Sequence, residues 1–240
     1  MRKLLNVFCL ILISSGLFAQ LEEKIKKENV VPGIVIKDGK EVKGFIKRMG
    51  NAYEDGKHYP APWQFQTEIK FIPEDKFIEL EKVKNKHFEE YKSNDIDAYV
   101  YDTLRFESVK YSDLSSVGVS MLARRMFMRK ISDGKIALYH YHSNPPPVAS
   151  GGFAQYYIEC GVPKWVYRKG DDEKLKAVEG MNISKELADC SLVVEKHERG
   201  EYKVLGKEGE GSKTNKFINN FYFTEKVRLL AIADYNQNCD

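Results

Sequence analysis

The chain has 240 residues, 30% of them charged and 42% hydrophobic, with a formal net charge of +3. A balance this near neutral, with lysines interleaved among acids as in Glu79-Leu80-Glu81-Lys82, lacks the basic excess of a nucleic-acid-binding protein. The length suits one large domain, or one domain with a small appendage.

Arg2 and Lys3 precede an apolar run from Leu4 to Ile13, and Leu17-Phe18-Ala19 precedes Gln20. This layout predicts a secretory signal peptide over residues 1–19, cut before Gln20. The apolar run falls short of the roughly 20 residues that a membrane span needs. Leu17 is large for its position, which leaves an uncleaved anchor as the alternative. Cys9 lies inside the apolar run rather than after the cut, against a lipid anchor. Cleavage removes 19 of the 240 residues, leaving 221, and takes away Arg2 and Lys3 but no acid, so the net charge falls from +3 to +1. No second apolar run has membrane length. The mature chain is therefore expected to carry no membrane span and to reside in the periplasm, at the cell envelope or outside the cell.

Residues 21–29 read as a frayed lead-in or a short helix. Gly33–Lys37 and Lys40–Lys47 flank Asp38-Gly39, a two-residue turn signal between β-favouring runs, and predict a hairpin. Residues 51–66 read as a loop containing Tyr59-Pro60-Ala61-Pro62-Trp63. Strands are expected over 68–72, 77–83 and 98–106. A second hairpin is expected from 127–131 into 135–141 across Ser132-Asp133-Gly134, with a helix over 120–130 as the competing assignment. Residues 143–152, with Pro145-Pro146-Pro147, read as an exposed loop. A third hairpin is expected from 155–160 into 164–168.

Beyond residue 180 the period changes. Residues 183, 187, 190 and 194 share one helical face. A second helix is expected over 224–235, with Thr224 as its N-cap and Leu230 facing the core. The resulting fold class is α+β: a β-rich domain of antiparallel hairpins over 20–180, a sandwich or partly open barrel, with a helical C-terminal subdomain over 181–240.

Three cysteines remain after cleavage: Cys160, Cys190 and Cys239. Three pairings are open. Cys190–Cys239 is favoured, because the two tail helices can return across the glycine-rich 206–212 segment, and Cys160 would then be a free thiol at a strand end.

Several of these residues carry a family likeness. The opening hairpin, the run Gly134-Lys135-Ile136-Ala137-Leu138-Tyr139, and the end with Ala188-Asp189-Cys190 and Asp234-Tyr235-Asn236-Gln237-Asn238-Cys239 resemble a set of uncharacterised, signal-peptide-bearing secreted or envelope proteins of the Bacteroidota. Relative to that pattern, 206–221 looks like an insertion. The group has no established activity, so the resemblance implies fold and location and carries no catalytic residue, cofactor or ligand.

Chemistry-bearing patterns are sparse. His140 and His142 alternate on a predicted strand and project from one face, which can begin a zinc or copper site. Spacing supplies no third ligand among His58, His87 and His197, so a solvated strand face is preferred and the pair stands as the one metal-ligand candidate. Cys160 beside Gly161 lacks the context of a thiol nucleophile. Asp95 with Asp97 and Asp171 with Asp172 are loop residues, and 206–213 resembles a phosphate loop but fails its spacing. Neither a catalytic residue nor a cofactor is assigned. Tyr59, Trp63, Tyr156 and Trp165 are candidate surface contacts for an envelope protein or glycan, with an aromatic core as the competing reading. The function expected is that of an exported, non-enzymatic protein acting through surface contacts. The alternative is a secreted hydrolase acting on an envelope or dietary polymer, which a deep pocket converging two or more of His58, His87, His140 and His142, or paired acids, would favour. A third reading, a small-ligand carrier with a barrel cavity, would show instead a large apolar hollow.

Overall fold

Asp38 (φ 50°) and Gly39 (φ 70°) make the first turn, joining β1 (Val30–Lys37) to β2 (Lys40–Lys47) in antiparallel register from Val30↔Lys47 to Lys37↔Lys40. Both turn positions take positive φ, as a two-residue hairpin that matches the strand twist requires. This computed structural model describes residues 19–54, 56–112, 123–145, 153–170, 174–207 and 216–239. The stretch through residue 18 that the sequence predicts to be a signal peptide, the 146–152 and 208–212 stretches, and Asp171 and Asp172 lie outside them.

Ten antiparallel strands form one open sheet in the order β12-β11-β10-β9-β8-β7-β1-β2-β5-β6. After β2 come β5 (Glu68–Pro73) and β6 (Glu89–Lys92) on one flank. On the other flank β7 (Ala98–Tyr101), β8 (Leu104–Tyr111), β9 (Arg124–Ser132), β10 (Ile136–Tyr141), β11 (Lys164–Lys169) and β12 (Lys176–Ala177) run as a meander. The sheet curls so that the end of β6 reaches β8 and β9. There the buried Ser93 hydroxyl donates to the Arg125 carbonyl at 2.8 Å, and the Ser108 hydroxyl donates to the Ser93 carbonyl.

Four expected elements differ. Residues 51–66 are not a plain loop but a small hairpin, β3 (Asn51–Glu54) with β4 (Lys57–Pro60), followed by a 3-10 turn over Pro62–Gln66. Residues 74–79 are helix α2 (Glu74–Glu79) rather than part of a strand. Pro73 stops β5, and Glu74 and Asp75 favour a helix N-terminus. The long strand expected over 98–106 is two strands, turned at Asp102 (φ 57°), whose amide donates to the Pro32 carbonyl at 2.9 Å. Residues 155–160 belong to helix α3 (Phe153–Gly161), so the third hairpin has only its second arm. Short segments bracketed by Gly and Pro are where helix and strand patterns are hardest to separate.

One face of the sheet carries Val31, Val35, Ile46, Ile69, Phe71, Tyr99, Phe106 and Phe127 as a buried cluster, continued by Ile136, Leu138 and Tyr167 under the C-terminal helices. The opposite face is covered in part by a helix over 19–27 (α1) and by α2. Leu21, Ile25 and Phe77 pack there on Val30, Phe45 and Ile72, and Lys24 Nζ donates to the Phe77 and Leu80 carbonyls at 2.6 and 2.5 Å.

The C-terminal segment is helical as expected, but the first helix breaks into α4 (Ile183–Glu186) and α5 (Ser191–Glu198), with Asn182 accepting from the Lys185 amide at 3.0 Å as N-cap of α4. Next come α6 (Glu201–Lys207) and α7 (Lys216–Asn238), and Thr224 lies inside α7 rather than at its start. Val227, Ala231, Ile232 and Tyr235 are buried, while Leu230 is only partly so. Cys190 and Cys239 form a disulfide, Cα–Cα 5.8 Å, joining the turn before α5 to the end of α7.

Candidate functional site

A row of side chains crosses the covered face of the sheet. Strand register pairs Val35 with Tyr99, Tyr99 with Phe106, Phe106 with Arg129, Arg129 with His140, and His140 with Trp165. Six strands thus present one transverse line: a valine at one end, then four rings with a single cation between Phe106 and His140. Tyr99 and Phe106 stack at 4.8 Å, and the His140 and Trp165 rings meet edge to face at 4.2 Å.

The 3-10 turn over Pro62–Gln66 arches above this row and is anchored from below. The Tyr99 hydroxyl donates to the Phe65 carbonyl at 2.6 Å, and the Phe65 ring stacks on Phe106 at 5.2 Å. Gln66, buried, treats His142 as a strand partner: its carboxamide accepts from the His142 amide at 2.6 Å and donates to the His142 carbonyl at 2.7 Å. Gly50 (φ 92°) lies so near the Phe65 ring that a Cβ would stand 2.5 Å from it, so a side chain there would displace the turn. On the far side the end of α3 closes in, and the Cys160 carbonyl lies 3.1 Å from His142 Nδ1. A carbonyl can only accept, so Nδ1 carries a proton and Nε2 is the ring's remaining polar atom.

Between these walls lies a cleft of about 380 Å³, lined by Phe65, Leu104, Phe106 and prolines on its apolar side and by Arg129, His140, His142 and Gln66 on its polar side. The pair singled out from the sequence therefore shares a cavity, with ring centroids 6.4 Å apart and planes nearly perpendicular. Both histidines are half-buried rather than on a solvated face. Burial first, then the Arg129 and His142 charges, push His140 down to about 4. Burial also holds His142 below the usual imidazole range, against the opposing pull of the Cys160 carbonyl. Near neutral pH both rings are uncharged, and Arg129 is the cation of the cleft.

The other candidates lie elsewhere. His58 packs against Tyr53 on the small hairpin, and His87 Nδ1 accepts from the Lys84 amide at 3.1 Å. Asp95 accepts from the Lys92 amide and Asp97 from the Gly39 amide, so both serve turns. Among the described residues no group of three or more His, Cys, Asp or Glu is placed to hold a metal ion. Trp63 is buried with Ala61 and Cys160 and stacks on Tyr157 at 5.5 Å. Trp165 is half-buried beside His140, Tyr59 is half-buried against Tyr157, and Tyr156 is exposed. Cys160 is a free, buried thiol in the last turn of α3, not at a strand end, and burial pushes its pKa up. That environment disfavours the thiolate a nucleophile needs.

Arg129, Gln66, Phe65 and Phe106 were not legible as site residues. The signal for Arg129 is its place across the hairpin from His140, which appears only once the strand register is known. Comparison of the chain with protein-family models, with curated proteins and with solved structures finds no match, so the geometry of the cleft carries the functional argument.

Proposed function

We propose that this is an exported, non-enzymatic binding protein of the periplasm or cell envelope, and that its ligand enters the cleft over β9 and β10. The observation that carries the reading is the lining itself: apolar rings on one side, a few convergent polar groups on the other, and a volume at the small end of the range for small-molecule pockets. The floor is a sheet and the roof is pinned to it by Tyr99 and Gln66, so the walls are preorganised. The disulfide is compatible with residence in an oxidising compartment.

The convergence of two histidines favours the hydrolase alternative to this extent: a neutral imidazole at His140 can accept a proton. Asp, Glu, Ser, Thr and Cys are absent from the lining among the described residues, so the imidazole has neither a nucleophile to activate nor a carboxylate to orient it. Binding is the better-supported activity.

Gly161 provides the test. A Cβ built there meets nothing within 4 Å, and the residue lines the cleft. Gly161→Trp is expected to fold normally and to abolish the hits found by ligand-observed NMR against a library of small fragments. Hits that persist unchanged in this variant would place binding elsewhere.

A further inference from the structure

We infer that the cleft takes a small organic carboxylate with an apolar body, its acid group held by the Arg129 guanidinium. This rests on the binding reading above and names the ligand class.

Arg129 is half-buried, and its side chain makes no hydrogen bond or ion pair among the described residues. No Asp or Glu lines the cleft with it. Half-buried cations ordinarily find an acid, because desolvating an unpaired charge is costly. Its cross-strand neighbours on both sides are rings, Phe106 and His140, neither of which supplies a counter-charge. The second observation is independent. His140 Nε2 is buried and has no hydrogen-bond partner, another polar atom whose desolvation is left uncompensated within the chain. The guanidinium and the imidazole sit on adjacent strands, directly opposite in register, and both residues line the cleft.

The choice of carboxylate follows from charge and shape. A guanidinium fork matches the two oxygens of a carboxylate. With both histidines neutral, the cleft carries one formal positive charge, which balances a monoanion and leaves a phosphate monoester with surplus buried negative charge. Phe65, Leu104 and Phe106 make one side of the cleft apolar, which favours an apolar body behind the acid group.

Isothermal titration of the purified, disulfide-bonded protein with 2-naphthoate, 2-naphthamide, 2-naphthyl phosphate and inorganic phosphate tests this. The acid is expected to bind with one-to-one stoichiometry, at least about tenfold tighter than the amide or the aryl phosphate. Inorganic phosphate is expected not to compete. Arg129→Met should remove the preference for acid over amide, the acid losing more affinity than the amide. The acid-to-amide ratio in the unmodified protein decides the matter if that variant fails to fold. An amide that binds as tightly as the acid, or an aryl phosphate that binds tighter, overturns the carboxylate assignment while binding in the cleft stands. If no probe binds and the Gly161→Trp comparison shows no fragment lost, the binding reading falls as well.

Discussion

Two carboxamides hold the strand that carries the histidines. At the start of β10, Asn236 of α7 accepts from the Ile136 amide and donates to the Ile136 carbonyl, both at 2.8 Å. At its end Gln66 does the same for His142. Each side chain completes a ladder where β9 no longer pairs, satisfying backbone groups that are costly to bury alone. Gly134 (φ 146°) makes room for the first clamp, since a Cβ there would stand 2.6 Å from Asn236 Cγ. Asn236→Ala is expected to destabilise the protein by about 2–3 kcal/mol, measured by urea denaturation, because Ile136 is fully buried. Gly134→Ala should cost less in the Asn236→Ala background than alone, since the clash is gone and only the φ strain remains.

At the scale of elements, the C-terminal helices hold to one another and to the sheet through tyrosine–aspartate pairs and the disulfide. Tyr202 donates to Asp234 at 2.5 Å and Tyr235 to Asp189 at 2.6 Å, with Lys196 and Lys169 completing each pair. Cys190 and Cys239, 49 positions apart, close the segment covalently. The chain-entropy estimate for such a loop is about 4 kcal/mol. The Cys190→Ser, Cys239→Ser double variant is expected to lose about 2–4 kcal/mol in denaturant unfolding. Its hydrogen exchange should rise first in α7 and at the β10 clamp, with β1 and β2 least affected. Equal acceleration throughout would show that the tail and the sheet open together.

At the scale of the whole molecule, one face of a curled open sheet carries the two larger buried clusters and the cleft, and the segment expected to be a loop at 51–66 supplies the roof. The described part of α7 buries Val227, Ala231, Ile232 and Tyr235 on strands β10 and β11, so the tail completes the sheet's core. Among the described residues no helix is long and apolar enough to cross a membrane. Export is predicted from residues 1–19: mass spectrometry of protein from its native host should find the N-terminus at or near Gln20. An intact Met1 on cytosolic protein would overturn it.

What the sequence determined by itself was local. Asp38-Gly39 set the first hairpin, because few residue pairs tolerate two consecutive positive φ angles, and alternation set β5, β10 and β11. The pairing of Cys190 with Cys239 was favoured among three because two helices can return on each other, and the structure forms it. His140 and His142 were legible as a pair because strand period alone puts them on one side. Their partner was not. Counting back from the Ser132–Gly134 turn in regular register sets His140 opposite Lys130. A bulge between Leu138 and Tyr139 shifts the pairing by one residue and brings Arg129 there instead. A one-residue slip exchanges faces, so it decides which cation lies in the cleft and which lies outside it. Lys130 then joins Glu107 at 3.0 Å on the opposite face, beside the Tyr139 hydroxyl. Bulges, the helix at 74–79 and the roof over β9 and β10 depend on contacts between residues far apart in the chain, and only the tertiary structure decides those.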